Sequence, residues 1–204
     1  ENIPIFSYIF LKGKCSNCHK TISILYPLIE ILTASVTLIL FRNYWLNMEL
    51  ILTILLFYNL IVLSFIDFKY RAVPDYLLII AVIIALLIGD LKNILLFAGG
   101  FVLLELFITF YIQNIKAKIT KNKALESQAA LGEGDIPIVA VIGGILGIHL
   151  GISAIFLAAL LALLPALYNL ISKKEIETAF IPFLSLGLFI TLITEFNIFF
   201  FFLY

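Results

Sequence analysis

Seven apolar stretches dominate this chain, at Ile22–Phe41, Glu49–Ile66, Asp75–Gly89, Leu91–Ile112, Ile136–Leu150, Gly151–Ile171 and Phe180–Tyr204. Most approach the roughly 20 residues that an α-helix needs to cross hydrocarbon. A soluble core could not hide them: 63% of the 204 residues are hydrophobic and 13% charged, where soluble domains run near half and a quarter. Lipid is the expected solvent, and a backbone in lipid satisfies its polar groups within helices. The expected fold is therefore an all-α integral membrane protein, a polytopic bundle of about seven transmembrane helices with short cytoplasmic loops. The third and fifth stretches are short, so they are expected to begin inside the membrane or beside a water-filled cavity. Residues 22–204 read as one membrane domain and residues 1–21 as part of a polar cytoplasmic loop. Glu1-Asn2-Ile3-Pro4 looks like the middle of a loop, and further residues are expected upstream of it.

Charge fixes the expected orientation. Thirteen basic and thirteen acidic residues leave no net charge and no footprint for nucleic acid, which is excluded as a partner. With the N-terminal segment cytoplasmic and the spans alternating, the cytoplasmic side receives Lys12, Lys14, Lys20, Lys69, Arg71, Lys116, Lys118, Lys121, Lys123, Lys173 and Lys174. Only Arg42 and Lys92 fall outside. The positive-inside rule favours this arrangement, and one miscounted span would destroy it.

A carboxylate inside a membrane costs several kcal/mol, so acidic residues near spans are functional candidates. Asp67 closes the second stretch and Asp135 opens the fifth, both at the cytoplasmic face of that topology. Asp135 also fits a helix N-cap, with Pro137 in the first turn. Asp67 opposes the dipole at a helix C-terminus, and its bland alternative is an ion pair with Lys69 or Arg71. Glu30, Glu105 and Glu195 read as polar contacts or interfacial residues. Gly132 and Gly134 would let a substrate backbone approach closely. Gly143, Gly147 and Gly151 form a small-residue stripe on which another helix can pack. A proton- or ion-coupled transporter using Asp67 and Asp135 as relay groups is the alternative function, but transporters place such groups near the midplane between repeats, and no repeat is visible. A methyltransferase without protease activity lacks any glycine-rich cofactor loop after a strand.

Cys15 and Cys18 form a CxxC, a spacing suited to a metal or redox role. A tetrahedral zinc site needs four ligands, and this pair supplies half of one.

Asp67-Phe68-Lys69-Tyr70-Arg71-Ala72-Val73-Pro74-Asp75 and Gly132-Glu133-Gly134-Asp135 resemble the two aspartate motifs of the type IV prepilin peptidase family, the second being its GxGD motif. Asn2 to Tyr8, Lys12 to Cys18, Ile22-Ser23 and Tyr26-Pro27 with Glu30 are similar to that family's cytoplasmic loop and the helix after it. Ala179-Phe180-Ile181-Pro182-Phe183 is similar to its last cytoplasm-proximal motif. The resemblance implies a catalytic pair, Asp67 and Asp135, with Gly132, Gly134, Pro74 and Asp75 contacting substrate. It implies prepilin or pseudopilin substrates, cut after a glycine between a short basic leader and an apolar helix, in a bacterial cytoplasmic membrane. Proteolysis requires no cofactor. Zinc at the CxxC loop and S-adenosylmethionine for N-methylation are the further groups that it implies. Three features depart from the family pattern: the transmembrane helix with which the family usually begins is not in this sequence and is expected among the residues upstream of Glu1, one CxxC stands where relatives often have two, and Pro137 stands where many have lysine. Within the pair, Asp135 at a helix start is expected to be the base, and Asp67 at a helix end to carry the shared proton. Oligomeric state has no signal in the sequence.

Overall fold

The computed structural model describes residues 5–120, 132, 134–171 and 178–199. Asn2, Ile3, Pro4 and Glu133 of the motifs, and Lys121, Lys123, Lys173 and Lys174 of the charge count, lie outside the described residues. The chain divides into two compact units, Glu1–Ile54 and Leu55–Tyr204.

In the first unit, α1 (Phe6–Phe10) leads into a small hairpin closed by an antiparallel bridge between Lys14 and Thr21. The Cys15 N–H donates to the Lys20 carbonyl and the His19 N–H to the Cys15 carbonyl, each at 3.0 Å. Both cysteines of the CxxC therefore lie on one tight knuckle, and neither is in a disulfide. After the hairpin comes α2 (Leu25–Asn43). Pro27 falls in its first turn, where a missing N–H costs nothing.

The division between units falls within α3 (Met48–Tyr70). The second stretch was expected to end at Ile66, but α3 continues to Tyr70, so Asp67 lies inside its last turn. The Arg71 N–H closes that turn on the Asp67 carbonyl at 2.9 Å. Next come α4 (Asp75–Ile88) and α5 (Leu91–Phe110). A π-helical segment, Tyr111–Lys116, and the short α6 (Ala117–Thr120) extend α5. Two more elements follow among the described residues, α7 (Asp135–Ile171) and α8 (Ile181–Thr194).

Helix α7 is not straight. Gly147 has φ 73° and ψ −172°, a conformation essentially confined to glycine. A Cβ built on Gly151 would lie 3.5 Å from the Gly143 Cα, whereas eight residues of straight helix rise about 12 Å. The chain thus folds back at Gly147, and arms 135–146 and 148–171 lie against each other. The sequence stretches meet at Leu150, three residues from the observed break. The glycine stripe packs on α5 as expected, through the Phe97 ring over Gly143 and Gly151. Gly147 departs from that stripe because it is the turn itself.

Among the described residues four helices are long and apolar enough to cross a membrane by length and composition, Leu25–Asn43, Met48–Tyr70, Leu91–Lys116 and, counted across its break at Gly147, Asp135–Asn169, with Asp75–Ile88 and Ile181–Thr194 shorter. Large apolar side chains point outward in quantity: Phe107 is 74% exposed and Leu164 68%. In water such a surface would aggregate, so the chain is an all-α, multi-pass membrane protein.

Candidate active site

Asp67 and Asp135 are the two carboxylates buried among the described residues of the second unit, each 9% exposed. Asp67 reaches its position from the last turn of α3 and turns its carboxyl toward α8. There Oδ2 accepts the Ile181 N–H at 3.2 Å. Helix α8 needs such a partner, because its N-cap residue, Phe180, makes no side-chain cap, and early N–H groups of a helix lack internal acceptors. Pro182 removes one of those donors. Asp67 therefore caps α8 from another helix. Arg71 also lies close enough to attract the Asp67 charge. Its guanidinium stands 5.6 Å from the Phe68 ring centroid, and the Lys69 ammonium 4.7 Å from that of Tyr70.

Asp135 is held by the turn before α7. Its N–H donates to the Gly132 carbonyl at 3.0 Å, and its carboxyl accepts the Gly132 N–H. A Cβ on Gly132 would lie 3.2 Å from Asp135 Oδ2. Gly134 is constrained more severely. A Cβ there would meet Val73 Cγ2 at 2.5 Å and Ile181 Cδ1 at 3.7 Å. Val73 belongs to the loop of the first aspartate motif, so the two motifs interlock through this glycine.

Ile181 thus joins the halves. Its N–H holds Asp67, and its side chain lies against the Gly134 turn that presents Asp135. The charge on Asp67 acts on Asp135, so the site brings together the two carboxyls expected from sequence. Pro74 is the N-cap residue of α4 in extended conformation, and Asp75 opens that helix on an exposed surface. Asp75 there complements the helix dipole. Glu30 and Glu195 are exposed, and Glu105 is half-buried.

One expectation changes. The division of roles within the pair rested on Asp67 sitting at the unfavourable end of a helix. Its carboxyl instead meets the N-terminal end of α8, as Asp135 meets the start of α7. Helix dipoles no longer distinguish the two. Sequence reasoning also missed Val73 and the Ile181 backbone. Ala179-Phe180-Ile181-Pro182-Phe183 was the available signal, since a proline after an apolar residue marks a helix start needing an external cap.

The described residues hold no group of three or more histidines, cysteines, aspartates or glutamates able to bind a metal. Cys15 and Cys18 alone do not complete a tetrahedral zinc site.

Fold and site define a polytopic helical membrane protein built around a buried aspartate pair. The Type IV leader peptidase family matches residues 54–167, and the Bacterial Peptidase A24 N-terminal domain matches residues 1–44. The chain belongs to the type IV leader peptidase family. It is 31% identical over 194 residues to a prepilin leader peptidase/N-methyltransferase of Neisseria gonorrhoeae, covering 92% of this chain and 64% of the relative. A protein of the same name from Legionella pneumophila is 30% identical over 199 residues, 92% of this chain and 65% of that one. Another from Bacillus subtilis (strain 168) is 29% identical over 186 residues, 90% and 70%. The chain spans somewhat less than two thirds of the length of the first two of these relatives. No solved structure matches it.

Proposed function

We propose that this chain is an intramembrane aspartyl endopeptidase that removes the short basic leader from type IV prepilins or pseudopilins at the cytoplasmic face of the bacterial inner membrane. The observation that carries the proposal is the buried pair Asp67 and Asp135, drawn from two separate motifs and joined through Ile181. Two carboxyls in mutual range in a low-dielectric site share a proton between them. The ionised member takes a proton from water as that water attacks the scissile carbonyl. The protonated member donates a hydrogen bond to the carbonyl oxygen. The tetrahedral intermediate then collapses as the leaving amine is protonated by the pair, and no covalent enzyme intermediate forms. The transporter reading is disfavoured by the family membership and by the position of the pair at helix ends.

Zinc enters no step of this reaction, and a tetrahedral site would require two ligands beyond Cys15 and Cys18. N-methylation is a second activity carried by the printed names of the relatives. A cavity of about 350 Å³ in the first unit is bordered by Tyr8, Lys14, Tyr26 and Glu30. Lys14 and Glu30 supply the two charges that the amino-acid end of S-adenosylmethionine would meet, so these residues would hold such a methyl donor. Glu30→Gln is then expected to lose methyl transfer while leader removal continues, read by mass spectrometry of the processed pilin.

The deciding experiment incubates a purified prepilin with the wild-type protein and with Asp67→Asn and Asp135→Asn in detergent. Each substitution should abolish cleavage while the protein still inserts and folds. Retention of cleavage by either variant refutes the dyad.

A further inference from the structure

Asp67 makes one polar link between α3 and α8, through the Ile181 N–H, and a second lies about one turn away. Ser64 lies three residues before Asp67 on α3, and Ser185 lies four residues after Ile181 on α8. Those spacings place each serine on the same helix face as the residue of its helix in the Asp67 link, about one turn away. The two hydroxyl oxygens are 3.3 Å apart. Ser185 Oγ is also 2.9 Å from the Ile181 carbonyl, and Ser64 Oγ is 2.7 Å from the Leu60 carbonyl. Each hydroxyl has a single proton to donate. Either donor direction keeps the interhelical bond, and in the one with Ser64 donating to Ser185 the Ser185 proton goes to the Ile181 carbonyl. Ser185 is then anchored to the same residue whose N–H holds Asp67. Further along, the contact between the two helices includes an edge-to-face pair, Phe57 and Phe189, with ring centroids 5.1 Å apart. Apolar packing of that kind is non-directional, so it sets the axial register only loosely. A hydrogen bond is short-ranged and directional, and sets it closely.

We propose that Ser64 and Ser185 are positioning residues, whose hydroxyl pair fixes the register of α3 against α8 so that the Ile181 N–H meets the Asp67 carboxyl. The proposal rests on the catalytic reading of Asp67 given above. Neither serine touches the reacting atoms. Their effect on the reaction passes through the placement of one carboxyl, and misplacements on the ångström scale are costly to catalysis. Both serines are only partly buried, and alanine is the better helix former, so removing either hydroxyl leaves the fold intact.

The test compares Ser64→Ala, Ser185→Ala, the double variant and the hydroxyl-retaining Ser185→Thr. Cleavage of a purified prepilin gives kcat and KM, and thermal unfolding in detergent checks the fold. Infrared difference spectra isolate the Asp67 carboxyl in an Asp135→Asn background, by subtraction of the protein lacking both aspartates. Each alanine variant should lose roughly tenfold to a hundredfold in kcat with KM and unfolding temperature nearly unchanged. The double variant should be no slower than the single ones, because the two hydroxyls act as a unit. Ser185→Thr should cleave near the wild-type rate, and Ser185→Ala should move the Asp67 carboxyl band. Independent, multiplicative losses, equal damage from the alanine and threonine variants, or an unmoved band would each overturn the proposal. Should the wild-type protein fail to cut prepilin, the peptidase reading falls, and the band alone decides whether Ser185 positions Asp67.

Discussion

At Gly134 a single methyl group decides whether the two aspartate motifs can close on each other. Alanine there would drive its Cβ to 2.5 Å from Val73 Cγ2, and overpacking of this kind costs about 1–3 kcal/mol. Gly134→Ala should therefore lower the unfolding temperature and remove most cleavage, whereas Gly134→Ala combined with Val73→Ala should recover much of both. Failure of the second substitution to rescue would mean that the glycine serves the substrate and not the loop. Asp75→Asn is the contrasting case. Its carboxylate is exposed in the first turn of α4, so the change should cost at most about 1 kcal/mol of stability and keep substantial activity in the prepilin assay. The aspartates themselves were legible from sequence, because a carboxylate is conspicuous in an apolar chain. The Ile181 N–H was not, since every residue but proline carries that donor and only the fold selects one. Val73 stayed hidden for a similar reason, as an apolar side chain among many.

Elements were legible where hydropathy marks them and illegible where one residue type has two uses. The stretch Asp75–Gly89 and the helix Asp75–Ile88 agree almost to the residue, because proline fixes one end and glycine the other. Gly143, Gly147 and Gly151 looked alike as a packing stripe, yet Gly147 is where the chain reverses. Nothing in the spacing separates a glycine needed for close approach from one needed for its backbone angles. Their substitutions should differ in kind. Gly147→Ala forces φ 73° on an L-residue and should cost about 1–3 kcal/mol however much space surrounds it. Gly143→Ala collides with the base of the Phe97 side chain, chiefly Cγ and Cδ2, so Phe97→Ala, which keeps only the Cβ, should relieve most of the collision and leave Gly147→Ala unimproved. Thermal unfolding of the four proteins in detergent checks this. The CxxC hairpin is an element of another sort, held by its own backbone bonds between Cys15, His19 and Lys20. It supplies neither carboxylate of the pair, so Cys15→Ser with Cys18→Ser should spare leader cleavage in a protein of unchanged unfolding temperature. Lost turnover in a folded protein would assign the knuckle a part in hydrolysis.

For the whole molecule, the weightiest information in the sequence is the distribution of lysine and arginine, because it predicts which face of the membrane the aspartate pair adjoins. Lys69 lies in the last turn of α3 and Arg71 just after it, next to the loop that holds Val73, while Lys92 lies in the first turn of α5, on the far side of α4. Between them stands α4, whose 14 residues rise about 21 Å, short of the roughly 30 Å of hydrocarbon. Lys69 and Lys92 are both exposed, so they mark the two ends of a short helix and should face opposite compartments. The excess of cations in the N-terminal segment and at the end of α3 predicts that Lys69 faces the cytoplasm. In a background with Cys15→Ser and Cys18→Ser, single Lys69→Cys and Lys92→Cys variants can be treated in intact cells with a membrane-impermeant maleimide. Lys92→Cys should label from outside, and Lys69→Cys should label only after the cells are opened. The reverse pattern would place Asp67, two residues before Lys69, at the outer face, where a leader retained in the cytoplasm could not reach it. Such a result would leave the buried pair and its connection through Ile181 intact and would remove the cytoplasmic cleavage site from the proposed function.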